Sequence, residues 1–374
     1  MVKRLFHLET KNGRGHYQVL GTNNKSNRLS LKPIVPLRPK RGIIKVDAGR
    51  QGAIFLATFN RNGSRQFIIK VCPYDKKLAG KMQVSVLEYN IIKTLYKVVP
   101  RRVPKPMGFF KCTNFAPNVT WTNKSTTYDY SKQTVSCMEY IENGTFGNYL
   151  DRMATSSRRR LNDTAMKSFI RQVLQTLIKI QHKYPSFRHG DLHLDNLLVR
   201  PTKSIPELVL TDFGWSKMAR IGSNPAVNSG RYKNTYGIGA NMSPMYDAHL
   251  FLMQLRNWVF KHSSSSKDGF PRTKAFLNKY VPVGYREEND RFTRNFRLKY
   301  GIKYPYTLAG VARGAFPLRK IRGGKPISNA RSLRLTPEKS LLIAYGAGPS
   351  PNMRASLSIR RAHPNKPSMN VTPR

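Results

Sequence analysis

The sequence His-Gly-Asp-Leu-His-Leu-Asp-Asn-Leu-Leu-Val occupies residues 189–199, and Thr-Asp-Phe-Gly follows at residues 211–214. The first stretch places an aspartate, Asp191, five residues before an asparagine, Asn196, and the second stretch adds Asp212. A carboxylate can orient an attacking hydroxyl and accept its proton, and carboxylate and amide oxygens are ligands for Mg²⁺. These are the residue types that phosphoryl transfer from ATP needs.

Together and in this order, the two stretches resemble the catalytic loop and the Asp-Phe-Gly segment of the protein kinase superfamily. The resemblance implies that Asp191 orients the substrate hydroxyl and accepts its proton, and that Asn196 and Asp212 ligate Mg²⁺. It places His193 where the ring could contact the γ-phosphate, with a structural hydrogen bond in the loop as the alternative. It also implies an α+β, bilobal protein-kinase-like fold, with a β-rich N-lobe, a mainly helical C-lobe, and ATP and Mg²⁺ as cofactors.

A glycine-containing stretch upstream resembles the phosphate-binding loop of the same family. Gly49 and Gly52 match its second and third glycines, and Ile54 matches its valine. The resemblance implies that these three residues contact the nucleotide. Asp47 takes the place of the first glycine, and a side chain there can keep backbone N–H groups from the phosphates. This departure leaves the affinity for nucleotide open.

Residues 67–72 form a short apolar run that contains one lysine, Lys70. A lysine inside a buried strand is costly unless it is paired. Its natural partner is Glu88, because apolar residues at helical spacing predict a helix at residues 78–98. Kinases use such a pair to hold the α- and β-phosphates, whereas the alternative is a surface lysine on an edge strand.

The resemblance extends to the segment that binds adenine. Residues 134–140 resemble the last strand of the N-lobe, and the hinge follows it. The resemblance implies that Glu139 and Ile141 bind the nucleotide at this hinge and that Leu198 lies under the adenine.

Two predicted helices complete the C-lobe. Apolar spacing predicts a helix at residues 165–183, preceded by good capping residues at 162–164. Asp247 resembles the aspartate that opens the central C-lobe helix of kinases. That resemblance implies that Asp247 braces the backbone of the catalytic loop.

Three departures from the family pattern bear on regulation and substrate. Gly190 stands where many regulated kinases have an arginine that receives an activation-loop phosphate, which argues against that kind of switch. His193 stands where serine/threonine kinases usually carry lysine, and the form His-Gly-Asp-Leu-His is commoner in aminoglycoside phosphotransferases. The segment after Asp212 has no closing Ala-Pro-Glu motif.

Taken together, a basic chain with kinase motifs and these departures resembles the virion-associated serine/threonine kinases of large DNA viruses. That resemblance implies transfer of phosphate from ATP to the serine or threonine hydroxyls of a protein substrate. Two alternatives remain open. One is a small-molecule kinase of the aminoglycoside-phosphotransferase style, and the other is a basic pseudokinase scaffold, which Asp47 alone favours.

The chain is strongly basic, with 66 lysines and arginines against 19 aspartates and glutamates and a net charge of +47. Such an excess predicts association with a polyanion, and non-specific nucleic-acid binding through a basic surface is one form of it. The sequence contains no zinc-finger spacing and no aromatic ribonucleoprotein signature. Sequence-specific reading of nucleic acid is therefore not predicted.

The cysteines and the apolar runs bear on the compartment. Cys72 and Cys137 fall in predicted strands, where cysteine behaves as a small buried apolar residue, and this fits a reducing compartment. No apolar run approaches the about 20 residues of a membrane span, and the N-terminus lacks an apolar signal core. The sequence therefore predicts a protein that spans no membrane and is not secreted. We expect it to be intracellular, in the host cytoplasm or the virion if it is viral.

Composition and motif positions predict four regions. Residues 1–40 are expected to be a basic, irregular extension, and residues 41–142 the kinase N-lobe. Residues 143–285 are expected to be the C-lobe with the catalytic loop. Residues 286–374 are expected to be a basic C-terminal extension whose end is disordered.

Overall fold

The computed structural model describes residues 5–11, 14–22, 29–33, 43–49, 52–59, 65–113, 127–156, 161–265, 268–286, 297–299, 301 and 303–315. For some of these, among them all residues before Gly52, it describes only the course of the backbone. All of them belong to one unit of the chain, Met1–Arg319.

The described elements mix strands and helices. The strands are β1 (Leu5–Lys11), β2 (Arg14–Thr22), β3 (Leu29–Pro33), β4 (Ile43–Gly49), β5 (Gly52–Phe59), β6 (Arg65–Asp75), β7 (Pro106–Thr113), β8 (Tyr128–Glu139), β9 (Leu197–Arg200), β10 (Glu207–Leu210), β11 (Lys217–Met218) and β12 (Gly222–Ser223). The helices are α1 (Val84–Tyr96), α2 (Phe146–Thr155), α3 (Asp163–Lys183), α4 (Pro225–Asn228), α5 (Lys233–Tyr236), α6 (Tyr246–Lys261), α7 (Pro271–Tyr280) and α8 (Leu308–Ala315). The α+β class predicted from the sequence is confirmed, whereas the bilobal arrangement stays a prediction.

The larger sheet has the strand order β4-β5-β6-β8-β7, and each neighbouring pair is antiparallel. β6 is the middle strand, so that Lys70 lies between Ile54 on β5 and Ser136 on β8. Side chains alternate between the two faces of a strand, and β6 buries Ile69 and Val71 on the face opposite Lys70. The sheet therefore holds Lys70 in a buried setting where it needs a charged partner.

α3 is the long helix of the region that follows the sheet. Its apolar residues recur at helical spacing, and Phe169, Val173 and Leu177 are 0% exposed. The Asn162 side chain accepts a hydrogen bond from the backbone N–H of Ala165 at 3.0 Å, which caps the first turn. The helix predicted from this spacing is therefore present, with its capping residue in place.

The expectation that residues 1–40 are irregular is wrong in part. β1, β2 and β3 form a three-stranded antiparallel sheet within this region. The sequence carries Asn12-Gly13 between the first two strands, which is a strong hairpin signal, and it outweighs the polar and basic composition that predicted an irregular segment. The polar composition of residues 113–133 also predicts an insertion between two strands. Residues 114–126 lie outside the described residues, and β8 already begins at Tyr128 within the predicted insertion.

The start of the predicted C-terminal extension belongs to the folded core. Within α8, Val311 is 0% exposed and Ala312 is 1% exposed, and Leu298 before it is 1% exposed. Leu308, which is 8% exposed, lies three and four residues before these two, so that the apolar residues form one buried stripe of this short helix. The expectation that an extension begins at residue 286 is therefore corrected for these residues, whereas residues 316–374 lie outside the described part.

Two further sequence expectations concern membranes and cysteines. Among the described residues, no helix combines the length and apolar character that crossing a membrane requires. Cys72 is 6% exposed and Cys137 is 3% exposed. The two thiols are thus small buried residues of the sheet, as predicted.

Candidate active site

Lys70 and Glu88 form a buried ion pair. The Lys70 ammonium nitrogen on β6 lies 2.9 Å from Glu88 Oε1 and 2.8 Å from Oε2. Lys70 is 9% exposed and Glu88 is 5% exposed. Glu88 lies beside Leu87 and Ile91 among the buried residues of α1, which turns its carboxylate toward the sheet. The predicted contact is present, and the alternative of a surface lysine on an edge strand is wrong.

Asp212 adds a second carboxylate near Lys70. Its Oδ1 lies 3.9 Å from the Lys70 ammonium, and its side chain is 46% exposed. Burial by itself lowers the pKa of Lys70, but Glu88 and Asp212 outweigh it and leave that pKa above its ordinary value. Loss of water by itself raises the pKa of Asp212, but the positive charge of Lys70 outweighs it and holds that pKa below its ordinary value. Asp212 is therefore ionised at neutral pH and open to solvent.

A short hairpin brings the two sequence motifs together. β9 and β10 pair antiparallel, with Leu197 opposite Leu210. The residue before β9 therefore lies beside the residue after β10, and the Thr211 N–H donates to the Asn196 carbonyl at 3.0 Å. Asn196 and Asp212 consequently lie at the same end of the hairpin.

The side chains of Asn196 and Asp212 offer oxygen atoms that suit magnesium. Asn196 Nδ2 donates to the Asp191 carbonyl at 2.8 Å, which leaves Oδ1 as the acceptor end of the amide. In the described part of the chain, no group of three or more His, Cys, Asp or Glu residues could hold a metal. Mg²⁺ does not need such a group, because it is often bound by one or two protein oxygens together with phosphates and water. The two donors therefore fit the ion.

His193 shapes the loop that carries Asp191. Its Nδ1 accepts the backbone N–H of Asp195 at 3.2 Å and caps the 3₁₀ turn Leu194–Asn196. A neutral ring must then hold its proton on Nε2, which lies 3.7 Å from Asp191 Oδ2. The alternative of a structural hydrogen bond is present, and a contact with the γ-phosphate stays a prediction.

Asp247, at the start of α6, braces the backbone of the loop that carries Asp191, as predicted. It is 0% exposed, and its two oxygens accept the N–H of His189 at 2.8 Å and the N–H of Gly190 at 2.9 Å. His189 Nε2 in turn donates to the Thr211 carbonyl at 2.9 Å. Burial lowers the pKa of His189, so that its ring is neutral. The residues just before Asp191 are thus held from two sides.

Gly190 cannot be exchanged for a larger residue without rearrangement. It has a φ of +80°, and a Cβ there would lie 2.4 Å from the carbonyl oxygen of Trp215. An arginine at this position, as in regulated kinases, would need both a different backbone and a displaced Trp215. The packing of Trp215, in the segment that follows Asp212, therefore requires a glycine at position 190.

Replacing Gly190 by alanine should destabilise the protein by about 2–4 kcal/mol, because left-handed strain adds to a clash with backbone. Gly230→Ala is the matched control, since Gly230 has a φ of +71° and a Cβ at that position would meet no atom within 4 Å. The control should lose only about 1–2 kcal/mol. Denaturant unfolding of both variants measures the difference, and equal losses would contradict the close approach to Trp215.

The hairpin of β4 and β5 is the one predicted to cover the phosphates. Gly49 lies opposite Gly52, and the two residues between them lie outside the described part. A Cβ at Gly52 would lie 2.5 Å from the carbonyl oxygen of Val71 on β6, so glycine permits the close approach of β5 to β6. Asp47 lies opposite Ile54 in the same hairpin. The contacts of Gly49, Gly52 and Ile54 with nucleotide stay predictions.

At the predicted hinge, the Glu139 side chain already has structural partners. Its carboxylate oxygens lie 3.0 and 2.9 Å from Arg200 Nη2, and Oε2 also accepts the Lys105 N–H at 3.0 Å. A contact of Glu139 with adenine would therefore use its backbone carbonyl. Ile141 is 4% exposed, and Leu198 is partly buried on β9.

One residue beside the site, Arg297, was not predicted from the sequence. Arg297 Nη2 donates to Asp191 Oδ1, and the Arg297 side chain is 11% exposed. No local pattern distinguishes this arginine among 66 lysines and arginines. Only the folded chain brings it to Asp191.

Comparison with known proteins finds a viral relative of this chain. No family model matches this sequence. A protein of Acanthamoeba polyphaga mimivirus named "Putative serine/threonine-protein kinase" is 23% identical over 356 residues, which cover 82% of this chain and 74% of that protein. The similarity suggests a kinase-like relation and agrees with the residue types found at the site.

Proposed function

We propose that this protein is a serine/threonine protein kinase with a bilobal kinase-like fold, using ATP and Mg²⁺. The observation that carries the proposal is the position of the Lys70 ammonium, 2.8 Å from Glu88 and 3.9 Å from Asp212. A strand lysine that meets both a helix glutamate and the aspartate before Phe-Gly is the arrangement that kinases use to hold phosphates and Mg²⁺. The name of the mimivirus relative supports the same class.

In the proposed reaction, the hydroxyl oxygen of a serine or threonine attacks the γ-phosphorus while the bond to the β,γ-bridging oxygen breaks, and ADP leaves. Asp191 orients the hydroxyl and accepts its proton. Lys70 balances charge on the α- and β-phosphates. Asn196 and Asp212 hold Mg²⁺, which when bound neutralises charge on the β- and γ-phosphates.

The proposed nucleotide site lies between the β4–β5 hairpin and β9. Glycines cover the phosphates, backbone groups of the hinge contact the adenine edge, and apolar side chains enclose the ring. The residues in these roles are Gly49, Gly52, Ile54, Glu139, Ile141 and Leu198.

The test is to incubate the purified protein with labelled ATP and Mg²⁺ and offer a basic protein, casein and a panel of small hydroxylated and amino compounds. We expect label on protein serine or threonine, lost on chelation of Mg²⁺ and lost in Asp191→Ala. Label only on a small compound would move the protein to the aminoglycoside-phosphotransferase style of kinase. No transfer, together with no thermal shift on adding MgATP, would favour a basic scaffold.

We also propose that the basic surface binds nucleic acid or another polyanion without sequence specificity. The net charge of +47 supports this, because binding through released counterions needs only lysines and arginines facing phosphates. Binding to duplex DNA should be measurable at about 50 mM salt and should fall steeply by about 200 mM. Absence of binding at low salt would contradict the proposal.

A further inference from the structure

The Arg297 guanidinium contacts the loop that carries Asp191 at two adjacent residues. Nη1 donates to the Gly190 carbonyl at 2.9 Å and is 3.1 Å from the Tyr246 hydroxyl, and Nη2 donates to Asp191 Oδ1. The Arg297 side chain is 11% exposed and that of Asp191 is 16% exposed. A partly desolvated ion pair reinforced by hydrogen bonds holds its geometry better than an exposed pair does.

Arg297 is itself held by the folded core. The Tyr246 hydroxyl donates to the Tyr236 carbonyl at 2.6 Å, and the Arg297 guanidinium lies 5.3 Å from the centre of the Tyr236 ring. Burial raises the pKa of Tyr246 to about 12, so that its hydroxyl is neutral and can both donate to Tyr236 and accept from Arg297. The guanidinium is thus fixed between the loop that carries Asp191 and two tyrosines, Tyr236 of α5 and Tyr246 at the start of α6.

The next residue, Leu298, anchors the same segment. It is 1% exposed and belongs to a buried cluster with Val227, Ile238, Met242 and Tyr246. The Leu298 carbonyl also lies so close to Gly237 that a Cβ there would overlap it. These contacts belong to the hydrophobic core, so the packing of the core holds Arg297 next to Asp191.

The contacts of Asp191 divide between its two carboxylate oxygens. Oδ1 is paired with Arg297. Oδ2 faces His193 Nε2 at 3.7 Å, which is longer than a hydrogen bond. One oxygen is therefore held while the other remains available to a hydroxyl. His193 stands where related kinases carry lysine, so Arg297 supplies a permanent positive charge beside Asp191 that the local sequence lacks.

We propose that Arg297 is a positioning residue for phosphoryl transfer, which holds Asp191 Oδ1 so that Oδ2 faces the substrate hydroxyl. This inference rests on the kinase function proposed above. A blocking role fits the contacts less well, because Arg297 leaves Oδ2 uncovered and its other partners, Gly190 and Tyr246, belong to the core. Removing Arg297 should therefore lower the rate, whereas removal of a blocking residue would raise it.

The first measurement is steady-state kinetics of Arg297→Ala, with Arg297→Gln as a second variant that keeps a hydrogen-bond donor. In both we expect kcat to fall roughly 30- to 100-fold, because a misplaced catalytic group loses about this much. The KM for ATP should stay within about twofold, since Arg297 touches none of the residues assigned to nucleotide. Arg297→Lys should recover part of the lost kcat. Unchanged or increased kcat in the alanine and glutamine variants would overturn the inference.

A double-mutant cycle separates positioning from general support of the fold. In an Asp191→Asn background, adding Arg297→Ala should lower the residual rate by no more than about twofold, because the two residues act as one unit. Losses that multiply would show that Arg297 does not act through Asp191 and would overturn the inference.

Arg256→Ala is the matched structural control. Arg256 is 7% exposed on α6, and its guanidinium bonds the Asn278 side chain and the Arg286 carbonyl, each at 3.0 Å. An equal loss of kcat in this variant would assign the effect to general destabilisation and overturn the inference. The kinase proposal fails separately, if the wild-type protein neither binds MgATP nor transfers phosphate.

Discussion

Replacing Asp212 by asparagine should lower magnesium-dependent phosphoryl transfer by about 10³-fold or more, since metal-assisted charge stabilisation contributes several kcal/mol. The substitution removes one carboxylate oxygen and the charge that faces Lys70 at 3.9 Å. The fold should remain intact, because Asp212 has a φ of +56° and asparagine tolerates this left-handed conformation well. Labelled-ATP assays over a range of Mg²⁺ concentrations, with thermal unfolding alongside, measure both effects.

Asp129→Asn is the control for this experiment. Asp129 lies on β8, where its carboxylate accepts the N–H and the hydroxyl of Ser131, and it is not among the residues assigned to catalysis. Its replacement should change the transfer rate by less than about threefold, as is usual for substitutions away from the chemistry. Near-normal transfer by Asp212→Asn at saturating Mg²⁺ would contradict the assignment of Asp212 as a metal ligand.

Replacing Asp247 by alanine should lower the free energy of unfolding by about 3–5 kcal/mol, because it leaves buried partners without an acceptor. The N–H groups of His189 and Gly190 lose the carboxylate oxygens that accept them at 2.8 and 2.9 Å. Arg188, which is 7% exposed, also loses a nearby negative charge. Denaturant unfolding measures the loss, and the rate of phosphoryl transfer should fall with it because Asp191 follows these residues directly.

An exposed aspartate in the same loop provides the comparison. Asp195 has a side chain that is 64% exposed, and the Thr145 hydroxyl lies 3.3 Å from its Oδ1. Asp195→Ala should lower the free energy of unfolding by less than about 1 kcal/mol. If Asp247→Ala and Asp195→Ala destabilised the protein equally, the bracing assigned to Asp247 would be wrong.

Much of the candidate site could be predicted from residue types and their order. Lys70 in an apolar run required a partner, and Glu88 lies in the helix that the apolar spacing predicts. The order of the two motifs predicted that Asn196 and Asp212 act together, and the structure shows that antiparallel pairing of β9 and β10 brings them to one end of a hairpin. These relations depend on local patterns and short connections, which sequence carries directly.

Other features depended on contacts between distant segments. The sheet of β1, β2 and β3 was missed because the prediction for residues 1–40 rested on their basic and polar composition and did not use the Asn12-Gly13 hairpin signal. α8 was missed as part of the core because its short apolar stripe resembles that of many solvent-exposed segments. In both cases the burial or pairing that stabilises the element comes from neighbours that no local pattern identifies.

The sequence by itself determined which residues make up the candidate site of this protein: the paired lysine and glutamate, the aspartate and asparagine of the loop, and the aspartate before Phe-Gly. Only the tertiary structure decided how Asp191 is held. Arg297 reaches it across 106 residues of sequence, and Gly190 must be glycine because Trp215 packs against it. An arginine and a glycine have no periodicity or spacing that marks such roles, because these roles arise only when the folded backbone brings the partners into contact.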